Sequence, residues 1–480
     1  MNLKNSISNL LDYRNYTKAQ KNKFIVLSIM TIIVVLVRTW TISTYWLTLP
    51  IILNSIFMFC GFIDEFEFLM YSMIMPSELF NFLGIGIAGL SWILKILRGK
   101  ITIQFDKRDK WLCVLIIFMI ISGIVSSIVN KTILSAVLSL GYIFIMLFIF
   151  KLTSACKYSI VNIAQVFKNI LIIQILMMII QFFNYGIFQP SDSYAGTFVN
   201  AHRLCVWLIW YLVVIAIMIK NKKYIDKNDI VNILVILIMI YLTDGKHIVV
   251  SAIGVLILWF VIDKIKYLKD RKILTTGLMI LLTLYSITNI SHIPSFKNNI
   301  ESKSQYIYRY IYEPPYNNKF HYFDKTINEE LIGYELLLGY GPGQYGSRVA
   351  NLRAYEYMAK EDSLAITLSK IIPPHIVEPY KQFAEQYNEE YLAFVKDMSA
   401  VLSYPFSSIM AIIGELGVLG YLIYLMFFNS IEKYSNNKIY SILPMIMLVL
   451  MIFDSYFEMT AIVTFFWIIL GSSRVDKKRY

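Results

Sequence analysis

The sequence predicts an all-α polytopic membrane protein of about 12–14 transmembrane helices carrying one large, mainly helical extracytoplasmic loop. Three observations lead there. The 480 residues are 57% apolar, and only 16% are charged, against roughly 25% in ordinary soluble domains. Mean hydropathy is +0.59. Long apolar runs, such as Trp111 to Val129, Ile133 to Phe150 and Ile170 to Phe188, approach or reach the roughly 17–25 residues that cross a bilayer. A large soluble protein has too little polar sequence here to cover so many runs. A membrane β-barrel needs short alternating segments instead. The net charge of +12 reads as the cytoplasmic bias of a membrane protein and not as a nucleic-acid surface. Cys60, Cys113, Cys156 and Cys205 lie in or near apolar runs without paired spacing, so no disulfide framework or zinc motif is expected. About twenty mostly polar residues precede the first apolar run, so no cleavable signal is read.

The elements follow in order. Residues 1–23 form a cytoplasmic arm with Lys4, Arg14, Lys18, Lys21 and Lys23. Residues 24–290 hold the main set of transmembrane helices. Apolar stretches at 24–40, 45–62 and 79–97 lead to the basic segment 98–110. Both flanks are basic, so an even number of crossings must separate them, and one of the three stretches is broken or interfacial. Helices near 111–129 and 133–150 form a hairpin closed outside at Asn130-Lys131. Helices near 166–188 and 203–219 enclose an outer loop, and those near 230–243 and 247–262 enclose the short outer turn Thr243-Asp244-Gly245-Lys246-His247. A helix near 273–290 leads out to a loop over 291–403. The C-terminal set, 404–471, comprises a span at 407–428 and a pair near 439–453 and 459–471. A basic tail, 472–480, ends the chain. Every basic cluster then falls on the cytoplasmic side, as do both termini.

The large loop contains Leu337 to Ala350, LLGYGPGQYGSRVA. Gly341 to Gly346 fits G-x-G-x-x-G, and Glu361 lies about twenty residues on, as in a dinucleotide site. That reading fails. The segment lies outside the cytoplasm, and Lys325 to Leu338 reads as a helix capped by Gly339, not as the strand of a βαβ unit. Pro342 also removes a backbone donor. The loop has fourteen tyrosines, whose flat faces and hydroxyls suit sugar rings and also suit an interfacial belt or a small core. Tyr380, Phe383, Tyr387, Tyr391 and Phe394 recur at helical spacing and read as packing. Arg309, Arg348 and Arg353 are the loop's arginines, and arginine binds phosphate in a bidentate fork.

Four stretches carry a family resemblance. They are Gly196-Thr197-Phe198-Val199-Asn200-Ala201-His202, Thr243-Asp244-Gly245-Lys246, Leu338-Gly339-Tyr340-Gly341-Pro342-Gly343-Gln344-Tyr345, and Gly414-Glu415-Leu416-Gly417-Val418-Leu419-Gly420. In this order they resemble the G-T-F-x-N-x-N, T-x-S-R, L-x-G-x-G-x-G-x-F and E-x-G-x-x-G elements of the O-antigen ligase and Wzy-type polysaccharide polymerase superfamily. The chain departs from that pattern at three places. Lys246 stands for the turn arginine, His202 stands for the second asparagine, and Ser403 to Ser407 lacks the His-Asn pair of the ligase branch. The last departure favours the polymerase branch.

The resemblance implies a GT-C-like glycosyltransferase of the bacterial inner (plasma) membrane. It would take a polyprenyl (undecaprenyl) diphosphate-linked oligosaccharide, on the periplasmic or extracellular face. The bilayer, a chain-length regulator and a flippase are the further implied partners. No cofactor is expected, and no carboxylate cluster has metal-ligand spacing. Lys246, Arg348 and Arg203 are the candidates for the leaving diphosphate, with Arg353 and Arg309 behind them. Snorkelling to the interface would equally explain Lys246 and Arg203, and a solvated loop charge would explain Arg348. His375 heads the candidates for the base, with His247, His202, Glu361 and Asp362 as alternatives. Asn200, Gly341, Gly343 and Tyr345 complete the expected substrate contacts. Glu415, about two turns into a membrane helix, is either functional or paired with a cation. Two other readings stand beside polymerisation: a ligase moving glycan to another acceptor, and a flippase for lipid-linked glycans.

Overall fold

A computed structural model describes residues 33, 48–130, 133–185, 194–198, 200–265, 267–268, 271–291, 293–303, 323–353, 381, 407–435 and 437–475. Among these residues every regular element is helical and none is a strand. In chain order the α-helices are α1 (Thr48–Phe59), α2 (Glu65–Met73), α3 (Glu78–Leu97), α4 (Lys110–Val129), α5 (Ile133–Ala155), α6 (Ile160–Tyr185), α7 (Ala201–Lys222) and α8 (Lys227–Leu242). They continue with α9 (Lys246–Lys264), α10 (Lys272–Ser291), α11 (Pro294–Lys303), α12 (Tyr334–Leu338), α13 (Arg348–Arg353), α14 (Ser408–Tyr434), α15 (Ile442–Phe453) and α16 (Thr460–Ser472). Seven helical segments among the described residues are long and apolar enough to cross a membrane, and four shorter apolar ones accompany them. The protein is an all-α polytopic membrane protein. The chain divides into two units. One contains residues 1–103, 155–249 and 460–472, and the other contains 104–154, 250–459 and 473–480.

In the first unit, α6, α7 and α16 share an aromatic core. Phe167 stacks on Trp207 with ring centres 5.1 Å apart and meets Phe465 edge-on at 5.2 Å. The N-terminal third holds an element that hydropathy passes over. All nine residues of α2 are buried, although Asp64, Glu65 and Glu67 lower the segment's hydropathy. Each acid is satisfied locally. Asp64 accepts the Glu67 N–H at 2.8 Å, and Glu67 reaches back to the Asp64 N–H, a capping box. Glu65 accepts the Ser91 hydroxyl at 2.8 Å and pairs with Lys95. Burial pushes the Glu65 carboxyl up, but the bonds from Lys95 and Ser91 outweigh it and hold the group below its ordinary value. Gly84 of α3 lets the α2 backbone approach closely, since a Cβ there would overlap Ser72. The α2 helix lies outside all three apolar stretches, between the second and the third, and is an element the sequence reading did not anticipate. The 24–40 stretch lies outside the described residues, Ile33 apart.

The second unit contains the α4–α5 hairpin, α10, α14 and α15. At the base of the hairpin, Asp109 receives Lys151 from α5 and Arg474 from the C-terminal segment. The Asp109 side chain is fully buried, and Arg474 lies over the Phe150 ring. The first arginine of the basic tail is therefore enclosed in an ion cluster, not solvated. A second charged knot joins the ends of α9, α10 and α14. Lys272 meets Asp263 at 2.7 Å and lies 4.0 Å over the Trp259 ring, while the Ile273 N–H donates to Glu432.

Removing one member of a buried ion cluster leaves the others desolvated and unbalanced. Asp109→Ala should therefore cost about 3–5 kcal/mol, whereas Asp106→Ala, at a half-exposed capping position, should cost about 1 kcal/mol. Unfolding of the two variants in detergent, followed by intrinsic fluorescence, measures the contrast.

Candidate functional site

In the first unit, Gly196 and Thr197 are held by α6. Gln174 and Gln181, seven residues apart and so on one helix face, grip them as two amide clamps. Gln174 accepts the Thr197 N–H at 2.9 Å and donates to the Thr197 hydroxyl at 2.7 Å. Gln181 accepts the Gly196 N–H and donates to its carbonyl, both at 3.0 Å. Gly196 takes φ +58°, and a Cβ there would overlap the Gln174 amide. Asn200 then caps α7, accepting the His202 N–H at 2.6 Å.

The following residues meet the start of α9. The His202 and His247 rings lie edge to face at 4.7 Å. Arg203 pairs with Glu78 at 2.8 Å. Lys246 pairs with Asp244 at 3.0 Å, with 82% of its side chain exposed. Asp244 adopts φ +52°, and Gly245 lets the turn press against Cys205. Asn200, His202, Arg203, Lys246 and His247 thus gather where two helices begin, a place favourable to anions. The Lys246–Asp244 pair is exposed and so weak, which lets the ammonium exchange its carboxylate for a phosphate.

In the second unit, the expected helix over Lys325 to Leu338 is interrupted. Leu331 N–H reaches Thr326 five residues back, Gly333 takes φ +72°, and only Tyr334 to Leu338 resumes the helix. Gly339, at φ +70°, closes it with its N–H on Glu335, as the sequence suggests. The glycine segment then descends beside α14 and α5. Gly417 (φ +67°, ψ −178°) breaks α14, so the carbonyls one turn earlier lose their helical donors. The Tyr340 and Gly341 N–H groups replace them, donating to Gly414 and Glu415 at 2.8 Å each.

The glycines of both motifs are explained by this seam. A Cβ on Gly339 would strike the backbone at Glu415, one on Gly341 would strike Ser126, one on Gly343 would strike Ser135, and one on Gly414 would strike the Tyr345 ring. Tyr345 is fully buried, and its hydroxyl meets Thr326 at 2.8 Å and the Glu330 carboxylate. Burial pushes the Glu330 carboxyl up against the lowering effect of that bond. The close backbone approach signalled by these glycines is therefore to the protein's own helices.

The descent can be followed on α5 and its hairpin. Tyr340 O accepts from Ser126 and Asn130, Gly343 packs on Ser135, Ser139 donates to Glu415 at 3.3 Å, and Tyr142 donates to the Glu458 carbonyl at 2.9 Å. From Ile133 to Tyr142 the helix rises roughly 13 Å. Irregular backbone is tolerated so far along apolar helices where protein surrounds it. Asp109, Lys151 and Arg474 lie at the opposite end of the hairpin.

Glu415 is 5% exposed. The Ser347 side chain and the Gly343 N–H also face its carboxyl, whose Oε1 has no hydrogen-bond partner among the described residues. Arg348 follows at the end of the descent. Its backbone N–H donates to Glu458 Oε2 at 2.8 Å, and its Nη1 reaches the Glu458 carbonyl at 3.4 Å. Burial lifts the Glu458 carboxyl to about 7, with the Arg348 N–H and the guanidinium charge drawing it down.

Gly341, Gly343, Tyr345, Arg348 and Glu415 are thus brought together in this unit. Arg353 ends α13. Arg309 and His375 lie outside the described residues. The sequence reading missed Gln174, Gln181, Glu78, Ser139 and Glu458. Glu458 had a visible signal, being one of two carboxylates, with Asp454, in the short link between two apolar stretches. No protein-family model, curated protein or solved structure matches the chain.

If the seam depends on this close approach, Gly341→Ala should destabilise the protein by about 1–3 kcal/mol, with part of that loss recovered by Ser126→Gly in the same chain. Thermal unfolding of the single and double variants measures it.

Proposed function

We propose that this protein is a membrane glycosyltransferase that polymerises polyprenyl diphosphate-linked oligosaccharide repeats into O-antigen or capsular polysaccharide. The reaction would take place on the extracytoplasmic face of a bacterial inner membrane. The observation that carries this reading is the descending glycine segment, which brings Arg348 onto the Glu458 carboxyl, with Glu415 close by, about midway along α5. A glycan leaving a lipid diphosphate needs a cation where charge develops and a group to receive the acceptor's proton, and this cluster contains both. The gathering of His202, Arg203, Lys246 and His247 at two helix starts suits a phosphate in the same way. The motif resemblance supplies the lipid-linked donor. The full topology of 12–14 crossings, with both termini cytoplasmic, belongs to this reading as well.

Purified protein in nanodiscs, given a synthetic polyprenyl-diphosphate repeat unit and no nucleotide sugar, should yield a ladder of glycans on a gel. Lys246→Ala and Arg348→Ala should each lower the initial rate by about 10²-fold. No ladder from authentic substrate would redirect the assignment to a ligase or a flippase. A ladder unchanged in both variants would retain the activity and discard both cation assignments.

A further inference from the structure

The polymerase reading places a proton acceptor in this cluster without naming the group, and Glu458 has the geometry to be it. It lies in the turn between α15 and α16, where Tyr456, Phe457 and Met459 are buried while Glu458 itself stays half-buried. One backbone hydrogen bond fixes its carboxyl: Oε2 accepts the Arg348 N–H at 2.8 Å. The return contact runs from the Arg348 guanidinium to the Glu458 carbonyl at 3.4 Å. The pair is therefore joined head to tail. In these two contacts each charged end meets the other residue's backbone, and no Arg348–Glu458 ion pair occurs among the described residues. That arrangement holds a carboxylate and a cation near one another without a direct bond between the two charged ends.

Its other neighbours define its role. Glu415 on α14 lies close enough for the two carboxyls to repel, but it is more deeply buried and is engaged by Ser139. Tyr142 on α5 donates to the Glu458 backbone and not to its carboxyl. Tyr424 on α14 packs edge-on against Phe457 at 5.8 Å. Asp454 and Tyr456 are the remaining polar or titratable side chains of its own turn besides Ser455, and the Asp454 carboxylate accepts the Ser455 N–H.

We propose that Glu458 is the general base of this reaction, taking the proton of the acceptor hydroxyl while Arg348 binds the departing diphosphate. The inference rests on the polymerase reading. In the step, the acceptor oxygen forms a bond to the anomeric carbon of the donor sugar as that carbon's bond to the phosphate oxygen breaks. The bonding pair leaves with the polyprenyl diphosphate, and the hydroxyl proton passes to the Glu458 carboxylate.

The test is Glu458→Gln in the ladder assay across pH 5.5–8.5, with Glu458→Asp beside it. A Gln side-chain oxygen still accepts the Arg348 N–H, so a purely structural role survives the change, whereas proton transfer does not. Glu458→Gln should melt with the wild type and keep KM for the lipid-linked unit, with kcat down by about 10²–10⁴-fold. The base must be ionised, so wild-type kcat should fall as pH drops, with a midpoint near 7. That acidic limb should vanish in Glu458→Gln and persist, at lower rate, in Glu458→Asp. Wild-type kcat or an unchanged acidic limb in Glu458→Gln would overturn the assignment while leaving the polymerase reading intact. A wild type that forms no glycosidic bond from authentic substrate would overturn both.

Discussion

The second unit depends on the break in α14 at Gly417. In hydrocarbon, every backbone N–H and C=O must find a partner within the protein, so a loop can descend among apolar helices only where such partners are exposed for it. An unbroken helix offers none, because its carbonyls are already used. The left-handed backbone at Gly417 releases two of them, and the Tyr340 and Gly341 N–H groups accept the offer. The remaining requirements follow. The loop must approach without side chains, hence Gly339, Gly341 and Gly343, and it must face small polar residues, hence Ser126, Ser135 and Ser139 on the hairpin.

The first unit answers the same constraint by a different device. There the Gly196–Thr197 turn receives its partners from two side-chain amides, which imitate a peptide group in offering one donor and one acceptor each. A seven-residue spacing sets Gln174 and Gln181 on one face of α6, so both amides reach the same turn. In each unit a motif that looks like a ligand loop is first a structural joint. Its consequence for chemistry is the placement of the residue that follows: His202 and Arg203 after the glutamine clamp, and Arg348 after the glycine seam.

Much of the helical framework could be read from the chain, because spans are dictated by long apolar runs. The α4–α5 hairpin, α7, α9 and α14 fall where their runs lie, and Glu415 stands two turns into its helix. The α2 helix could not be found that way. Hydropathy charges the full desolvation cost of Asp64, Glu65 and Glu67, and has no means of crediting the capping box, Ser91 and Lys95 that offset it. Arg474 misled for the converse reason. A basic tail reads as solvated, while its first arginine is enclosed by Asp109 from more than 360 residues earlier.

The sequence by itself determined the class of the protein, the approximate place of most spans, and the short list of motifs in which glycine and charge occur together. These are properties of local composition, which solvent transfer alone decides. What only the tertiary structure decided is what each motif touches. The glycines could have admitted a nucleotide, a sugar or a helix, since all three require the same absence of a side chain. The distinction rests on which carbonyls are left unsatisfied nearby, and that depends on the kink at Gly417 and the serine face of α5. The setting of the Glu458 carboxyl is decided in the same way, by the backbone N–H of Arg348, a partner 110 residues distant in the chain.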